Sequence, residues 1–327
     1  DANFRSFFVL NKKGDTEAKP PKFRGKNFFT TMVHNQSGFK AGKDVIELSH
    51  KHPTKTKLRF VIPEKFVFSK LYQISIYRKD KDYYLSVTYE KPETEFQDNG
   101  LYQAFDLGAT KQTAVNLQGK FIEFANKRPD KYWEKPVEEL QSRRDHCRKQ
   151  SIKWHKLNAL HNKCKRKSSN QLKDFQHKLS RKIVDNTKAN TLIVGDLSVK
   201  KMCQINQYKK GLHKSLHNTG NIGRLVGFLT YKLKLAGKRI VEISERDTSR
   251  ICCCCGKKQD MPLEKREYIC DYGNRMDRDR NSAINIMLRC LSQNGLWTAY
   301  WQFVSNLRQT GLTIVSHPQE AITSTES

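Results

Sequence analysis

The chain has 327 residues, enough for two modest domains, and 37% of them are hydrophobic. Its 61 lysines and arginines outnumber its 33 aspartates and glutamates, which gives a formal net charge of +28. An enzyme of small molecules rarely needs such an excess, and the charge indicates a nucleic-acid partner because each cation near a phosphate releases a counterion.

The sequence gives no sign of a membrane or of export. No apolar run approaches the roughly 18 residues that span a bilayer, and no secretory signal opens the chain. The nine cysteines are mostly clustered, which fits reduced metal ligands better than a disulfide scaffold. We therefore expect an intracellular protein, cytoplasmic or associated with the nucleoid, with no membrane partner.

Residues 1–97 have the pattern of a β-rich domain. Apolar residues alternate with polar ones at Leu58, Phe60 and Ile62, and two later runs flank a turn at residues 79–82, which predicts a hairpin. Residues 22–40 interleave bases with aromatics, a mixture that suits phosphate contacts and base stacking. For about half of these aromatics, packing in a barrel core is the alternative.

A polar linker, residues 92–100, precedes a change of character. The strand predicted at residues 102–107 carries Asp106 near its end, and a β-meander is predicted over residues 113–117 and 120–124. A strand with an aspartate followed by a meander is typical of the start of an RNase H-like fold.

Residues 136–186 are predicted to form two basic helices, with the break at residues 167–170. Fourteen lysines and arginines fall between Arg143 and Lys182, so one face could lie along a nucleic-acid backbone. A merely solvated charged face is the alternative. The residues predicted to bind nucleic acid are Arg143, Arg144, Arg148, Lys149, Lys165, Arg166, Lys167 and Arg181.

The remaining elements alternate between strand and helix. Strands are predicted at residues 191–194 and 238–243, and helices at 220–236 and 281–291. The whole order is β-β-β-α-β-α-β-α, with the first, fourth and fifth strands as neighbours. An amphipathic segment follows from Trp297 to Leu307, and the Thr/Ser/Glu end has the composition of a disordered tail.

Acids flank a group of cysteines late in the chain. Cys252 and Cys255, followed by a glycine, form a C-x-x-C knuckle, and Cys270 lies beyond them. Glu245 precedes this insert, and Asp279 follows it. Carboxylates on both sides of a small cysteine-rich insert are typical of a metal-dependent nuclease core that a zinc ribbon interrupts.

This stretch, residues 243–286, resembles the TnpB nucleases of insertion sequences, their eukaryotic Fanzor relatives and the type V CRISPR effectors. The resemblance extends over roughly residues 22–289 and implies an α/β fold with an RNase H-like (RuvC) core, a basic helical insertion and a zinc-ribbon insert, preceded by a β-rich wedge or barrel domain. The expected domains are a wedge-like β-barrel at 1–97, the core with its insertion at 98–250, the ribbon at 251–274, the end of the core at 275–292 and a tail at 293–327.

The resemblance implies a Mg²⁺ site built from Asp106, Asp279 and a third acid. The usual glutamate before Asp-Leu is replaced here by Gly195. Glu245, three residues before Thr248, matches the relocated glutamate of Fanzor and some TnpB proteins. Asp196 is a second candidate, although strand alternation should turn it away; a nuclease-dead site is the third reading. Asp277 is expected to support Asp279, with Arg278 pointing away or capping the helix.

The resemblance also implies zinc, held by Cys252, Cys255 and Cys270. The second knuckle is incomplete because Gly273 follows only two residues after Cys270. Asp271 or a neighbouring thiol could complete the shell, or the ribbon could be vestigial and hold no metal.

The function that the resemblance implies is RNA-guided cutting of DNA by two-metal hydrolysis, with a guide RNA and target DNA as partners. One alternative is a nuclease-dead RNA-guided DNA-binding protein or a decayed transposon remnant, and another is a plain zinc-ribbon nucleic-acid-binding protein. The chain starts at Asp1 instead of methionine and lacks the family's N-terminal helical segment, so we expect it to be truncated or a fragment.

Overall fold

The structure is a computed structural model of the whole chain. The residues it describes are 2–312 except 23–24, 26–27, 43, 50–53, 64–65, 67, 80–81, 109, 197–221, 263 and 271–272. Contacts divide the chain into two compact units, with the boundary between Pro92 and Glu93.

Among its described residues, the first unit has one α-helix and six strands in two antiparallel sheets, ordered β1-β5-β6 and β2-β3-β4. Their bounds are α1 Ala2–Lys12, β1 Met32–Asn35, β2 Phe39–Ala41, β3 Val45–Leu48, β4 Leu58–Val61, β5 Leu71–Lys79 and β6 Asp82–Tyr89. The predicted hairpin is present, since Lys79 pairs with Asp82; residues 80 and 81 of its turn lie outside the described residues. Where a barrel was expected there are two three-stranded sheets, and α1 was not predicted.

The apolar core of this unit is small. Ile46 and Leu48 of β3 and Ile74 and Ile76 of β5 are almost fully buried, together with Ile62 just after β4. Their alternation along each strand places one face of each sheet against this core, as the period of two requires.

The second unit is built around a five-stranded sheet ordered β11-β10-β7-β8-β9. Its strands are β7 Tyr102–Leu107, β8 Lys111–Asn116, β9 Phe121–Ala125, β10 Thr191–Gly195 and β11 Arg239–Ile243. β10 runs parallel to both β7 and β11, while β7, β8 and β9 form an antiparallel meander. β7, β10 and β11, the first, fourth and fifth strands of the predicted core, are therefore neighbours, as predicted.

The described residues of the second unit form five α-helices. They are α2 Glu134–Asp145, α3 Ile152–Asn186, α4 Ile222–Leu235, α5 Arg278–Gln293 and α6 Trp297–Gln309, and a short 3₁₀ helix, Pro129–Trp133, precedes α2. A two-stranded hairpin, β12 Glu267–Ile269 with β13 Arg275–Asp277, lies between β11 and α5.

The helices cover the two faces of the sheet separately. Tyr102, Ala104 and Ile193 pack in one cluster with residues of α5 and α6, whereas Phe105 and Val194 pack in another with residues of α3 and α4. Successive strand residues thus point to opposite faces. The face that α5 and α6 cover, to which Tyr102, Ala104 and Ile193 point, is called the α5 face below.

The predicted break at residues 167–170 is wrong, because α3 runs without interruption from Ile152 to Asn186. The break lies earlier, where Gln150 has φ +69° and the Ser151 side chain caps α3 by accepting from the backbone N–H of Trp154. Serine and asparagine cost a helix only tenths of a kcal/mol each, which is about the scale that tertiary packing overrides. Ser168 packs inward, and its hydroxyl donates to the carbonyl of Asp130 at 3.4 Å.

The segment assigned to a C-terminal tail contains a core helix. Tyr300, Phe303, Val304 and Leu307 of α6 are buried in the cluster on the α5 face, and Asn306 donates to the carbonyl of Leu117 at 2.8 Å. The expected disordered end, residues 313–327, lies outside the described residues. Among the helices that the structure describes, none is both long and apolar enough to cross a membrane.

Candidate functional site

Three positions with a possible role in metal binding share the α5 face. Asp106 follows Tyr102 and Ala104 at a spacing of two on β7, and Gly195 follows Ile193 on β10. Glu245 lies two residues after the buried Ile243, which ends β11 and pairs with Gly195. Alternation along three neighbouring parallel strands therefore brings these positions to the same edge of the sheet.

The fourth position is supplied by α5 itself. Asp277 is the N-cap of this helix, and its Oδ1 accepts from the backbone N–H groups of Asp279 at 2.9 Å and Arg280 at 3.2 Å. Asp279 follows in the first helical turn and is buried. The cap fixes the start of α5 and so fixes the backbone from which Asp279 extends.

Gly195 and Glu245 occupy complementary space. A Cβ built on Gly195 would collide with Oε2 of Glu245 and would approach the Cβ of Glu245 to 2.8 Å and its Cδ to 3.1 Å. Glu245 thus fills the room in which a side chain at position 195 would begin. No larger residue fits at 195 while Glu245 keeps this conformation.

The acids interact with one another. Burial raises the pKa of Asp106 to about 8, with further contributions from the charges of Asp279 and Glu245. Burial also raises the pKa of Glu245 to about 7, with help from the charge of Asp196. Desolvation and like charges both penalise an ionised carboxylate, so this cluster holds protons at neutral pH until a cation offsets its charge.

Two cations already lie beside the cluster. Lys111 Nζ is 3.1 Å from Asp277 Oδ2 and 4.0 Å from Asp279 Oδ2. Arg278 Nε is 3.6 Å from Asp279 Oδ1, and the charge of Arg278 lowers the pKa of Asp106. The expectation that Arg278 points away or caps is wrong, because its side chain is 11% exposed against Asp279 while Asp277 provides the cap.

Two other acids, Glu242 and Asp196, lie on or next to these strands but differ in position. Glu242 is exposed on β11, and by alternation it belongs to the opposite face. Asp196 directly follows β10 and is exposed, yet its charge reaches Glu245 and raises the pKa of that carboxyl. Asp196 therefore lies nearer to the cluster than strand alternation alone indicates.

The chemistry of the site suits a hard divalent cation. Carboxylate oxygens are the ligands that Mg²⁺ prefers, and like-charged acids in one buried place favour a bound cation. Directly across from Asp106 in the β7–β8 register, the buried hydroxyl of Thr113 has no hydrogen-bond partner within the described part of the chain. Asp106, Glu245 and Asp279 do not all bring oxygens within 4.8 Å of one another, as the thiols discussed next do among the described residues. The acids are therefore not gathered around a single point.

The cysteines form a second candidate metal centre. The Sγ atoms of Cys252, Cys255 and Cys270 all lie within 4.8 Å of one another. Sulfurs around a tetrahedral zinc with bonds of about 2.3 Å are separated by about 3.8 Å, so these three fit after small shifts. The Sγ of Cys252 accepts from the backbone N–H groups of Cys254 and Cys255 and from Asn274 Nδ2, the last at 3.4 Å.

The fourth zinc ligand stays a prediction. Cys253 and Cys254 are buried with their Sγ atoms 3.8 Å apart, and the thiol of Cys254 also interacts with that of Cys252. Asp271, the other residue proposed for this role, lies outside the described residues.

The basic residues of α2 and α3 fall into two groups. Arg143, Arg148, Lys149, Lys165 and Lys167 are exposed, as a phosphate-contacting surface requires. The others have contacts within the chain or less exposure: Arg144 binds Asp145 and Asn158, Arg181 binds Asp185, and Arg166 is half-buried.

Sequence reasoning missed Lys111 and Ser282 as neighbours of the carboxylates. The hydroxyl of Ser282 lowers the pKa of Asp106, and its spacing of three from Asp279 on a helix was a usable signal. Lys111 comes from a different strand, and no sequence pattern links it to Asp277.

Two family models match parts of this chain. Residues 85–206 match the OrfB family of IS605, described as a probable transposase, and residues 223–286 match the Cas12f1-like TNB domain. The chain belongs to the TnpB/OrfB family, which is related to Cas12f. The TNB match contains Glu245, Asp279 and the three clustered cysteines.

Individual TnpB relatives are distant. A protein of Streptomyces pristinaespiralis with RNA-guided DNA endonuclease in its name is 31% identical over 116 residues, which are 35% of this chain and 27% of the relative. TnpB-like protein L79 of Acanthamoeba polyphaga mimivirus is 31% identical over 134 residues, 40% of this chain and 25% of the relative. The matched part thus spans about a quarter of each curated relative's length.

The fold is similar to that of a solved structure. The protein chain in the cryo-EM structure of the Cas12f1–sgRNA–target DNA complex aligns with a TM-score of 0.57 and 15% identity, covering 86% of this chain and 68% of that one. At this identity the similarity concerns the fold.

Proposed function

We propose that this protein is an RNA-guided DNA endonuclease that cuts DNA at a Mg²⁺ site formed by Asp106, Glu245 and Asp279. The observation that carries the proposal is the exclusion between Gly195 and Glu245. Gly195 stands where the family's usual glutamate is expected, and Glu245 fills the space that a side chain at 195 would occupy. This arrangement supports a relocated acid and argues against a site that has simply lost one.

The residues of the chain have distinct parts in such a site. Asp106 and Glu245, with pKa values raised to about 8 and about 7, would release their protons to admit cations. Asp277 holds the start of α5 so that Asp279 reaches the cluster, and Lys111 and Arg278 offset part of the negative charge. Asp106, Glu245 and Asp279 would hold the Mg²⁺, which would supply an activated water and charge stabilisation for the leaving oxygen.

The proposed partners are a guide RNA and target DNA. A solved structure with a similar fold contains an sgRNA and target DNA, and this chain carries a net charge of +28 with exposed lysines and arginines along α2 and α3. A duplex held by its backbone needs cations more than base-specific side chains. We propose that zinc, held by Cys252, Cys255 and Cys270, stabilises the insert next to the site.

Purifying the protein with the RNA that it retains in cells, and offering it a plasmid that contains the sequence of that RNA, tests the proposal. We expect cleavage that requires Mg²⁺ and disappears in Glu245→Gln, while RNA retention is unchanged. Asp196→Asn should lower the rate much less. Retained RNA and guided DNA binding without cleavage would instead favour the nuclease-dead alternative.

A further inference from the structure

The turn that carries Glu245 is fastened to α5 along one side of that helix. Arg289 Nη1 donates to the carbonyls of Ser244 at 2.7 Å and Arg246 at 2.9 Å. Asn285 Nδ2 donates to the carbonyls of Thr248 at 2.8 Å and Ile251 at 2.7 Å. The helix that supplies Asp279 therefore also holds the backbone on both sides of Glu245.

Two buried hydroxyls continue this attachment into the carboxylate cluster. Thr248, three residues after Glu245, contacts the Glu245 carbonyl through its backbone N–H at 3.1 Å and through Oγ1 at 2.9 Å. Its Oγ1 is also 3.0 Å from the Oγ of Ser282, which lies on α5 three residues after Asp279. Both hydroxyl residues are only 3% exposed.

The direction of these bonds follows from proton count. Thr248 Oγ1 donates its one proton to the Glu245 carbonyl, so the hydroxyl of Ser282 is the donor to Thr248 Oγ1. The Glu245 carbonyl also accepts from the backbone N–H of Thr248. The two hydroxyls therefore join α5 to the backbone of Glu245 itself.

We propose that Thr248 and Ser282 are positioning residues that hold the turn of Glu245 against α5, the helix that supplies Asp279, through a bridge of two hydroxyls. The inference rests on the proposed function, since it concerns the same acids. The bridge fixes the position of Glu245 relative to Asp279, and so places their carboxylates for a divalent cation. Without it the turn is held less firmly against α5, and the affinity for the cation falls.

The experiment measures Mn²⁺ binding to the purified chain by the loss of the free-ion EPR signal, so neither guide RNA nor DNA is needed. Mn²⁺ takes oxygen ligands in preference to thiolates. Thr248→Val removes the hydroxyl and keeps the shape, while Thr248→Ser keeps the hydroxyl. Ser282→Ala removes the second hydroxyl and suits a helix better than serine. The matched control is Ser292→Ala on the same helix, whose hydroxyl bonds to the carbonyl of Arg289.

We expect Thr248→Val and Ser282→Ala to weaken Mn²⁺ binding by about tenfold, the scale of one buried hydrogen bond. Thr248→Ser and Ser292→Ala should stay close to the parent protein, and the unfolding temperature of metal-free Ser282→Ala should not fall. Equal losses in Thr248→Val and Thr248→Ser, or unchanged binding in Thr248→Val, would overturn the inference. If Asp106→Asn leaves Mn²⁺ binding unchanged, the proposed metal site itself is wrong.

Discussion

At the scale of single residues, the pair Gly195 and Glu245 determines how the site is built. Only one of these positions can carry a side chain into the shared space, since a Cβ at 195 would meet the carboxylate of Glu245. The glycine at 195 and the glutamate at 245 therefore depend on each other.

This complementarity predicts a rescue between the two positions. Gly195→Glu alone should abolish Mg²⁺-dependent cleavage because the new side chain displaces Glu245, and Glu245→Gly alone should abolish it because an acid is missing. The double variant Gly195→Glu/Glu245→Gly should recover part of the rate in the plasmid assay. A double variant no better than either single one would show that the two positions do not share one role.

The raised pKa values predict an unusual pH dependence. Asp106 and Glu245, at about 8 and about 7 when folded, have ordinary values of 3.8 and 4.5. Between these limits the folded protein binds more protons than the unfolded chain, so the metal-free protein loses stability as the pH rises from about 4 to about 8. We expect the unfolding temperature to fall more steeply over that range than in Asp106→Asn. Equal slopes in the two proteins would contradict the assignment.

At the scale of elements, the central sheet was predictable and the helices less so. The strands of the second unit are short apolar runs bounded by turn residues, and the prediction that the first, fourth and fifth strands of the core are neighbours is confirmed. The break in α3 was misplaced because serine and asparagine oppose a helix by less than the packing of Ser168 and Leu172 favours it. Periodicity identified α6 as amphipathic but could not show that the sheet supplies its partner.

Parts of the site were beyond sequence reasoning for a different reason. Contacts such as Lys111 with Asp277, or Thr248 with Ser282, join residues that are far apart in the chain, and no local propensity encodes them. The reason for a glycine at position 195 could not be predicted either, since a missing side chain leaves no pattern in the sequence. Motif spacing could indicate Glu245, whereas the steric exclusion between the two positions follows only from the three-dimensional structure.

The cysteine insert gives the prediction at this scale. Cys252→Ser should lower the zinc retained after dialysis against a weak chelator, because Cys252 belongs to the cluster of three mutually close thiols. Cys290→Ser is the matched control, since this thiol is also buried but lies on α5, outside that cluster. Metal analysis by mass spectrometry decides between them, and equal zinc in the two variants would contradict a site at the three cysteines.

At the scale of the whole molecule, the charge of +28 should control affinity for nucleic acid. Replacing Arg143, Arg148, Lys149 and Lys165 by glutamine should weaken binding to a labelled single-stranded RNA. The negative slope of log K against log salt concentration should become shallower by about 3. The control carries the same number of changes at exposed lysines of the first unit outside residues 22–40, namely Lys12, Lys13, Lys19 and Lys55. An equal change of slope in both variants would show general charge dependence without a special role for α2 and α3.

The central claim is that Asp106, Glu245 and Asp279 form one metal site. Its most direct test is the anomalous scattering of Mn²⁺ in crystals of the protein grown with that ion. We predict anomalous density bound by carboxylate oxygens of all three acids, and loss of that density in Asp106→Asn. Crystals with no ion among these acids, or an ion held by Asp196 with Glu245 turned away, would contradict the account.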